Sequence, residues 1–238
     1  MKERPFLLSG ILGLGAVIMT LVLSAIGPRL ATPLPGGFIP PILAFEFAES
    51  PSEVSELVAS EGSILAMDRL NRWDFLYMVL YSGCLFAFAL VCARLTGRRI
   101  FYIPAALALL ILSADAMENV QLLAITRLWD DGDISPILTQ LTPLLNRLRL
   151  FTWLKWGGLA LYFVLLIPYF RGLNSPWRWV WLVAMLPVFL AVVANFARGL
   201  PNELMALAIG LLFVLLTVYA WRFRQLPSAD RRLAPQAN

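Results

Sequence analysis

The run Ser113-Ala-Asp115-Ala-Met-Glu118-Asn119-Val-Gln121 sits inside an otherwise apolar stretch from Phe101 to Ile125. Its two carboxylates can take up and release protons, and with the carboxamide they can accept hydrogen bonds from a ligand. Holding them there is expensive, because a charge at a bilayer centre costs about 3 kcal/mol on insertion scales. Asp115, Glu118 and Asn119 are spaced i, i+3 and i+4, so on a helix they share one face. Two ionised carboxylates one turn apart repel strongly in a low dielectric, so at least one must be protonated or paired. Lys155 is the natural partner, since its stem is long and no other cation sits deep in an apolar segment. The pattern therefore predicts a Glu118–Lys155 or an Asp115–Lys155 bridge.

Other polar residues fall at similar depth. Asp74, Tyr77 and Tyr81 form a stripe on the preceding apolar segment, Asn195 and Arg198 close the fifth, and Asn202 and Glu203 open the sixth. Asp115, Glu118, Asn119, Lys155, Asp74, Tyr77, Tyr81, Asn195 and Arg198 are accordingly the candidate ligand-binding pocket. Taken singly, Asn119, Asn195, Tyr77 and Tyr81 are better explained by hydrogen bonds that fix helix register, worth about 0.6 kcal/mol each. Asp74, Arg198 and Glu203 lie near the interface, where solvation of a helix end is enough. Ser9, Gly10, Gly13 and Gly15 form a small-residue seam suited to close helix packing.

Several chemistries are ruled out or left unassigned. The chain has no histidine, which excludes His-ligated haem, His-ligated zinc and a histidine general base. Cys84 and Cys92 share one expected helix about 12 Å apart, too far to bridge, and read as small buried apolar residues. Asp130-Asp-Gly-Asp133 lacks the spacing and closing glutamate of an EF-hand loop, so it reads as a solvated turn. The Asp-x-x-Glu-Asn run could offer oxygens to a hard divalent cation, but no metal, cofactor or catalytic residue is assigned.

These residues must be positioned by membrane-spanning elements. The 238-residue chain is 60% hydrophobic and 14% charged, with a mean hydropathy of +0.76. Soluble proteins run at roughly 45–50% apolar and about 25% charged, so the expected class is an all-α integral membrane protein. Six segments of about the roughly 20 residues needed to cross can be placed. They are Phe6–Gly27, Trp73–Leu95, Phe101–Ile125, Leu150–Phe170, Trp177–Phe196 and Leu204–Trp221. The first is longer than a signal-peptide core and no convincing cleavage site follows, so it reads as a retained anchor helix.

The net charge of +4 does not point to nucleic acid, because the positive residues mark alternate loops. Lys2, Arg4, Arg94, Arg98, Arg99, Arg171, Arg178, Arg222, Arg224, Arg231 and Arg232 mark one side. Glu46, Glu49, Glu53, Glu56, Glu61, Asp68, Asp130, Asp131 and Asp133 mark the other. By the positive-inside rule both termini are cytoplasmic, in a cell inner membrane. The polar residues then lie in the outer half of the bundle, those of the third span roughly 10–17 Å below the outer surface at 1.5 Å per residue.

Residues 1–224 read as a single six-span domain, with residues 28–72 an extracytoplasmic insert. In it, Ile42–Ala48 is apolar but too short to span and reads as interfacial or re-entrant. Ser50-Pro51-Ser52-Glu53 is a capping box with proline at the first helical position. Two short helices are thus expected to cover the outer mouth. A helix is also expected from Ser135-Pro136, with Pro143 kinking its run into the fourth span. Residues 225–238 read as a disordered cytoplasmic tail whose arginines favour anionic lipid. Shifting the chain by 74 residues lays Tyr81-Ser-Gly83 on Lys155-Trp-Gly157, a weak sign of a parallel repeat.

Three functions fit. The first is a binding or transport protein holding a small amphiphile or lipid head group in an outward-facing polar pocket, with proton uptake by a carboxylate coupled to it. The second is a membrane-embedded enzyme using Asp115 or Glu118 as acid or base on a lipid, with Tyr77 or Lys155 polarising the substrate. The third is a non-catalytic assembly or sensory subunit. Binding is the reading adopted here. Membrane lipids are the expected partners, and nothing in the chain identifies a protein partner.

Overall fold

In the computed structural model the described residues are 4–30, 34–60, 62–130 and 134–223. Among them every regular element is helical and there is no strand. Nine α-helices follow in order: α1 Leu7–Ile26, α2 Pro41–Glu46, α3 Pro51–Val58, α4 Ser63–Thr96, α5 Tyr102–Asp130, α6 Ile134–Leu165, α7 Ile167–Arg171, α8 Val180–Ala194 and α9 Leu200–Arg222. Six helical stretches are long and apolar enough to cross a membrane. The protein is a multi-pass helical membrane protein by length and composition. The turn expected at Asp131-Gly132 and the tail from Gln225 lie outside the described residues.

Two of the boundaries that differ from the sequence reading have a local reason. Helix α4 begins ten residues before Trp73, at Ser63, which shortens the segment between the first two spans. Nothing between Ser63 and Arg72 breaks a helix, and the stretch is amphipathic. Met67, Leu70 and Asn71 are buried, while Leu65, Arg69 and Arg72 face outward. The fourth span, in contrast, is interrupted near its end. Pro168 has no N–H to continue the ladder, and the chain restarts as the short α7 after Leu166. Pro143 lies inside α6, which continues across it.

Each long helix packs against its neighbours in sequence, and α9 returns to α1, so the six spans close into a ring. The small-residue seam lets α1 wedge between α4 and α9. Ser9 Oγ donates to the Cys84 carbonyl at 3.1 Å. A Cβ on Gly13 would fall 2.4 Å from Thr217 Oγ1, so only glycine permits this approach. Leu8, Ile11, Ile18, Leu110, Phe189 and Leu207 are exposed on the outer faces, as lipid contact requires.

The interior divides by height. One end holds an aromatic core, in which Phe88 meets Phe6, Tyr169, Phe170 and Tyr219 at centroid distances of 5.2–6.2 Å. Its hydroxyls are satisfied internally: Tyr162 donates to the Leu85 carbonyl at 2.7 Å, and the Tyr169 and Tyr219 hydroxyls lie 2.8 Å apart. The other end is covered by residues 34–58, which carry α2 and α3. Ser50 Oγ caps α3 by accepting from Glu53 N at 3.3 Å, while the Glu53 carboxylate reaches back to Glu49 N at 2.8 Å. The buried faces of this lid are Phe38, Phe45, Val54 and Leu57.

Candidate functional site

Beneath the lid, Lys155 of α6 gathers the charged residues. Its Nζ lies 3.1 Å from Glu46 Oε1 and 3.4 Å from Asp115 Oδ1, and it donates to Glu118 Oε2. Both predicted bridges are therefore made at once, together with a third from α2. The site is nearly closed to solvent: relative exposure is 0% for Glu118, 2% for Asp115, 6% for Lys155 and 7% for Glu46.

Neighbouring side chains hold this group in place. Tyr81 of α4 donates its hydroxyl to Asp115 Oδ2. Thr152, one turn before Lys155, lies 2.5 Å from Glu118 Oε1 and 3.1 Å from the Glu46 carbonyl. Trp156 Nε1 donates to Glu46 Oε2 at 2.9 Å, and its ring centroid is 5.2 Å from Lys155 Nζ. A second layer follows on α4 and α5. Asn119 Nδ2 donates to Asp74 Oδ2 at 2.7 Å, and the Tyr77 ring packs on Tyr81 with centroids 5.1 Å apart.

The structure thus brings together Asp115, Glu118, Lys155 and Tyr81, with Asn119, Asp74 and Tyr77 adjoining them. It places Asn195 and Arg198 elsewhere. Asn195 Nδ2 donates to the carbonyl of Ala191 on its own helix, at an exposed position. Arg198, at the α8–α9 corner, clamps the lid instead. It donates to both oxygens of Glu53 at 2.9 and 3.0 Å, to Glu49 at 3.1 Å and to the Phe47 carbonyl at 2.7 Å. Burial alone would raise the Glu53 carboxyl, but the Arg198 guanidinium and the Glu49 N–H hold it below its ordinary value. Burial works against the charge on Arg198, yet Glu53 and Glu49 carry its pKa above the usual arginine range. At the same corner a Cβ on Gly199, whose φ is +84°, would fall 2.6 Å from the Gly36 carbonyl.

Three members of the cluster were not singled out in the sequence: Glu46, Thr152 and Trp156. Glu46 had a readable signal, being the one charge within the apolar run Ile42–Ala48. A charge in an otherwise buried segment needs a partner of opposite sign. Thr152 and Trp156 carried no such signal, since both are ordinary residues of a membrane-spanning helix.

The chemical consequence is an imbalance. Three carboxylates face one ammonium, so the group holds two negative charges in excess if every carboxylate is ionised. Among the described residues, Asp115 Oδ1 also has no hydrogen-bond donor beyond that ionic contact. A separate groove of about 750 Å³ lies between α1 and α9 at the opposite end, lined by Leu14, Val17, Val214, Thr217, Val218, Trp221 and Arg222. It does not touch the cluster. Comparison with protein families, characterised proteins and solved structures finds no match to this chain.

Proposed function

We propose that this is a multi-pass protein of the cytoplasmic membrane that binds a small amphiphile through a cationic amine head group at Glu46, Asp115 and Glu118. The distribution of Lys and Arg supports an orientation with the lid outside and both termini in the cytoplasm. One observation carries the reading. Glu46 of α2 and both Asp115 and Glu118 of α5 converge on a single lysine of α6. Fixing helix register needs one pair, and a surplus of buried carboxylates only adds repulsion. Surplus acceptors are what a cationic guest requires.

One proton halves the excess charge of the site when no ligand is present. Thr152 has one hydroxyl proton but faces two acceptors, the Glu46 carbonyl and Glu118 Oε1. A proton on Glu118 lets Glu118 donate to Thr152 while Thr152 donates to Glu46. An incoming ammonium would release that proton and take its place. Because the charged groups are paired with one another beneath α2, entry requires the lid to lift and carry Glu46 with it.

Amphiphiles of equal chain length test the reading directly. Dodecylamine, dodecanol and dodecanoate are added to the purified protein below their aggregation concentrations, and thermal melting is followed. Dodecylamine is expected to raise the melting temperature saturably, and an Asp115→Asn/Glu118→Gln variant to lose that response. Equal stabilisation by dodecanoate, or a full response in the double variant, would overturn it.

A further inference from the structure

The α4–α5 seam carries a polar ladder that register fixation does not explain. From the lid end inward its rungs are Asp68 with Thr126, Asp74 with Asn119, and Tyr81 with Asp115. Asp68 reaches the surface, where it pairs with the exposed Arg72 at 3.7 Å. Asp115 belongs to the buried cluster. The ladder therefore runs from solvent to the carboxylates.

Asn71 occupies the gap between the first two rungs. At 100° per residue it falls between Asp68 and Asp74 in azimuth as well as in height, on the buried face of α4. Its exposure is 0%, and neither its Oδ1 nor its Nδ2 has a hydrogen-bond partner among the described residues. A buried carboxamide with both ends unpaired is rare in a native protein, and ordered water is its usual partner. Beyond Tyr81 and Ser82 the seam continues as Leu85, Phe88, Ala89 and Cys92 against Ala105, Ala108 and Ile111, with no charged side chain.

We infer that Asn71 holds a water site through which protons pass between the lid-end surface and Asp115. The inference rests on the proposed protonated state of the cluster. Water held by the Asn71 carboxamide bridges Asp68 to Asp74, and Asp74 passes the proton on toward Asp115. The groups facing Asp115 are Tyr81, Tyr77 and Asp74 from α4, Glu118 from α5, Lys155 from α6 and Glu46 from α2. The route has a single mouth, so the compartment bathing the lid sets the proton occupancy of the site.

Infrared spectroscopy of the whole protein in nanodiscs tests this through hydrogen–deuterium exchange at the carboxylic-acid carbonyl band. Asn71→Leu keeps the branched side-chain shape but cannot hydrogen-bond water, and is expected to slow exchange about tenfold or more. Asn71→Ser, which leaves a hydroxyl and room for water, is expected to exchange at the wild-type rate. So is Cys92→Ala, on the same stripe of α4 at the far end. Unchanged exchange in Asn71→Leu, or equal slowing in Cys92→Ala, would overturn the inference alone. Absence of any carboxylic-acid band in the wild type would instead remove the protonated cluster, and the inference with it.

Discussion

At Lys155 the energetics of the site come down to one ammonium among three acids. Removing that charge leaves Glu46, Asp115 and Glu118 buried against one another, and breaking a buried ion pair from one side costs about 3–5 kcal/mol. Lys155→Met is therefore expected to lower thermal stability in detergent by about that amount. Lys155→Met combined with Asp115→Asn should recover part of it, because the second change removes one unpaired charge. A single variant that melts with the wild type would show that Lys155 neutralises nothing. Asp115, Glu118 and Lys155 were legible because each breaks an apolar run, and a charge in hydrocarbon has few outcomes besides pairing. Asn71 was not legible, since the sequence reading put it in the extracytoplasmic insert, where asparagine ordinarily meets solvent. Only the burial of α4 against its neighbours leaves its amide without a partner.

At the scale of elements, residues 34–58 cover the buried charges. Residues 34–58 are held to the α8–α9 corner by Arg198 and by the close approach of Gly36 to Gly199. The Glu53 carboxyl titrates below its ordinary 4.5 when the lid is docked. A depressed carboxyl stabilises the docked form above that value and loses the contribution as pH falls through the lower, docked one. Amide hydrogen exchange across residues 41–58, taken relative to the intrinsic rate at each pH, is thus expected to rise on acidification below 4.5. Arg198→Gln should raise it at neutral pH, leaving little further acid dependence. Exchange in Arg198→Gln that matches the wild type at both pH values would show that the clamp does not hold the lid. The capping box of α3 was readable from Ser50-Pro51-Ser52-Glu53, because a cap is a local device. The partner of Glu53 was not, since Arg198 lies 145 residues away.

At the scale of the molecule, six spans in a closed ring put the buried charges at one end and the aromatic core at the other. This polarity makes the proposed orientation testable. With lid outside and termini inside, a cysteine introduced at Ser60 should react in intact cells with a membrane-impermeant thiol reagent. One introduced at Arg98 should react only after permeabilisation. The native Cys84 and Cys92 are buried and give little background. The reverse labelling pattern would invert the molecule and turn the site toward the cytoplasm.

Composition and hydropathy by themselves determined the class, the number of spans and most of their extents, because bilayer thickness sets the length of an apolar helix. They also singled out Asp115, Glu118 and Lys155, because burial cost is a property of the residue and its apolar surroundings. Which groups meet was decided only by the tertiary structure. Glu46 joins Lys155 because α2 folds back onto α5 and α6, and Arg198 leaves the site because it turns to the lid. Contacts between residues 37 to 151 positions apart depend on how the ring closes, and no local pattern in the chain encodes that closure.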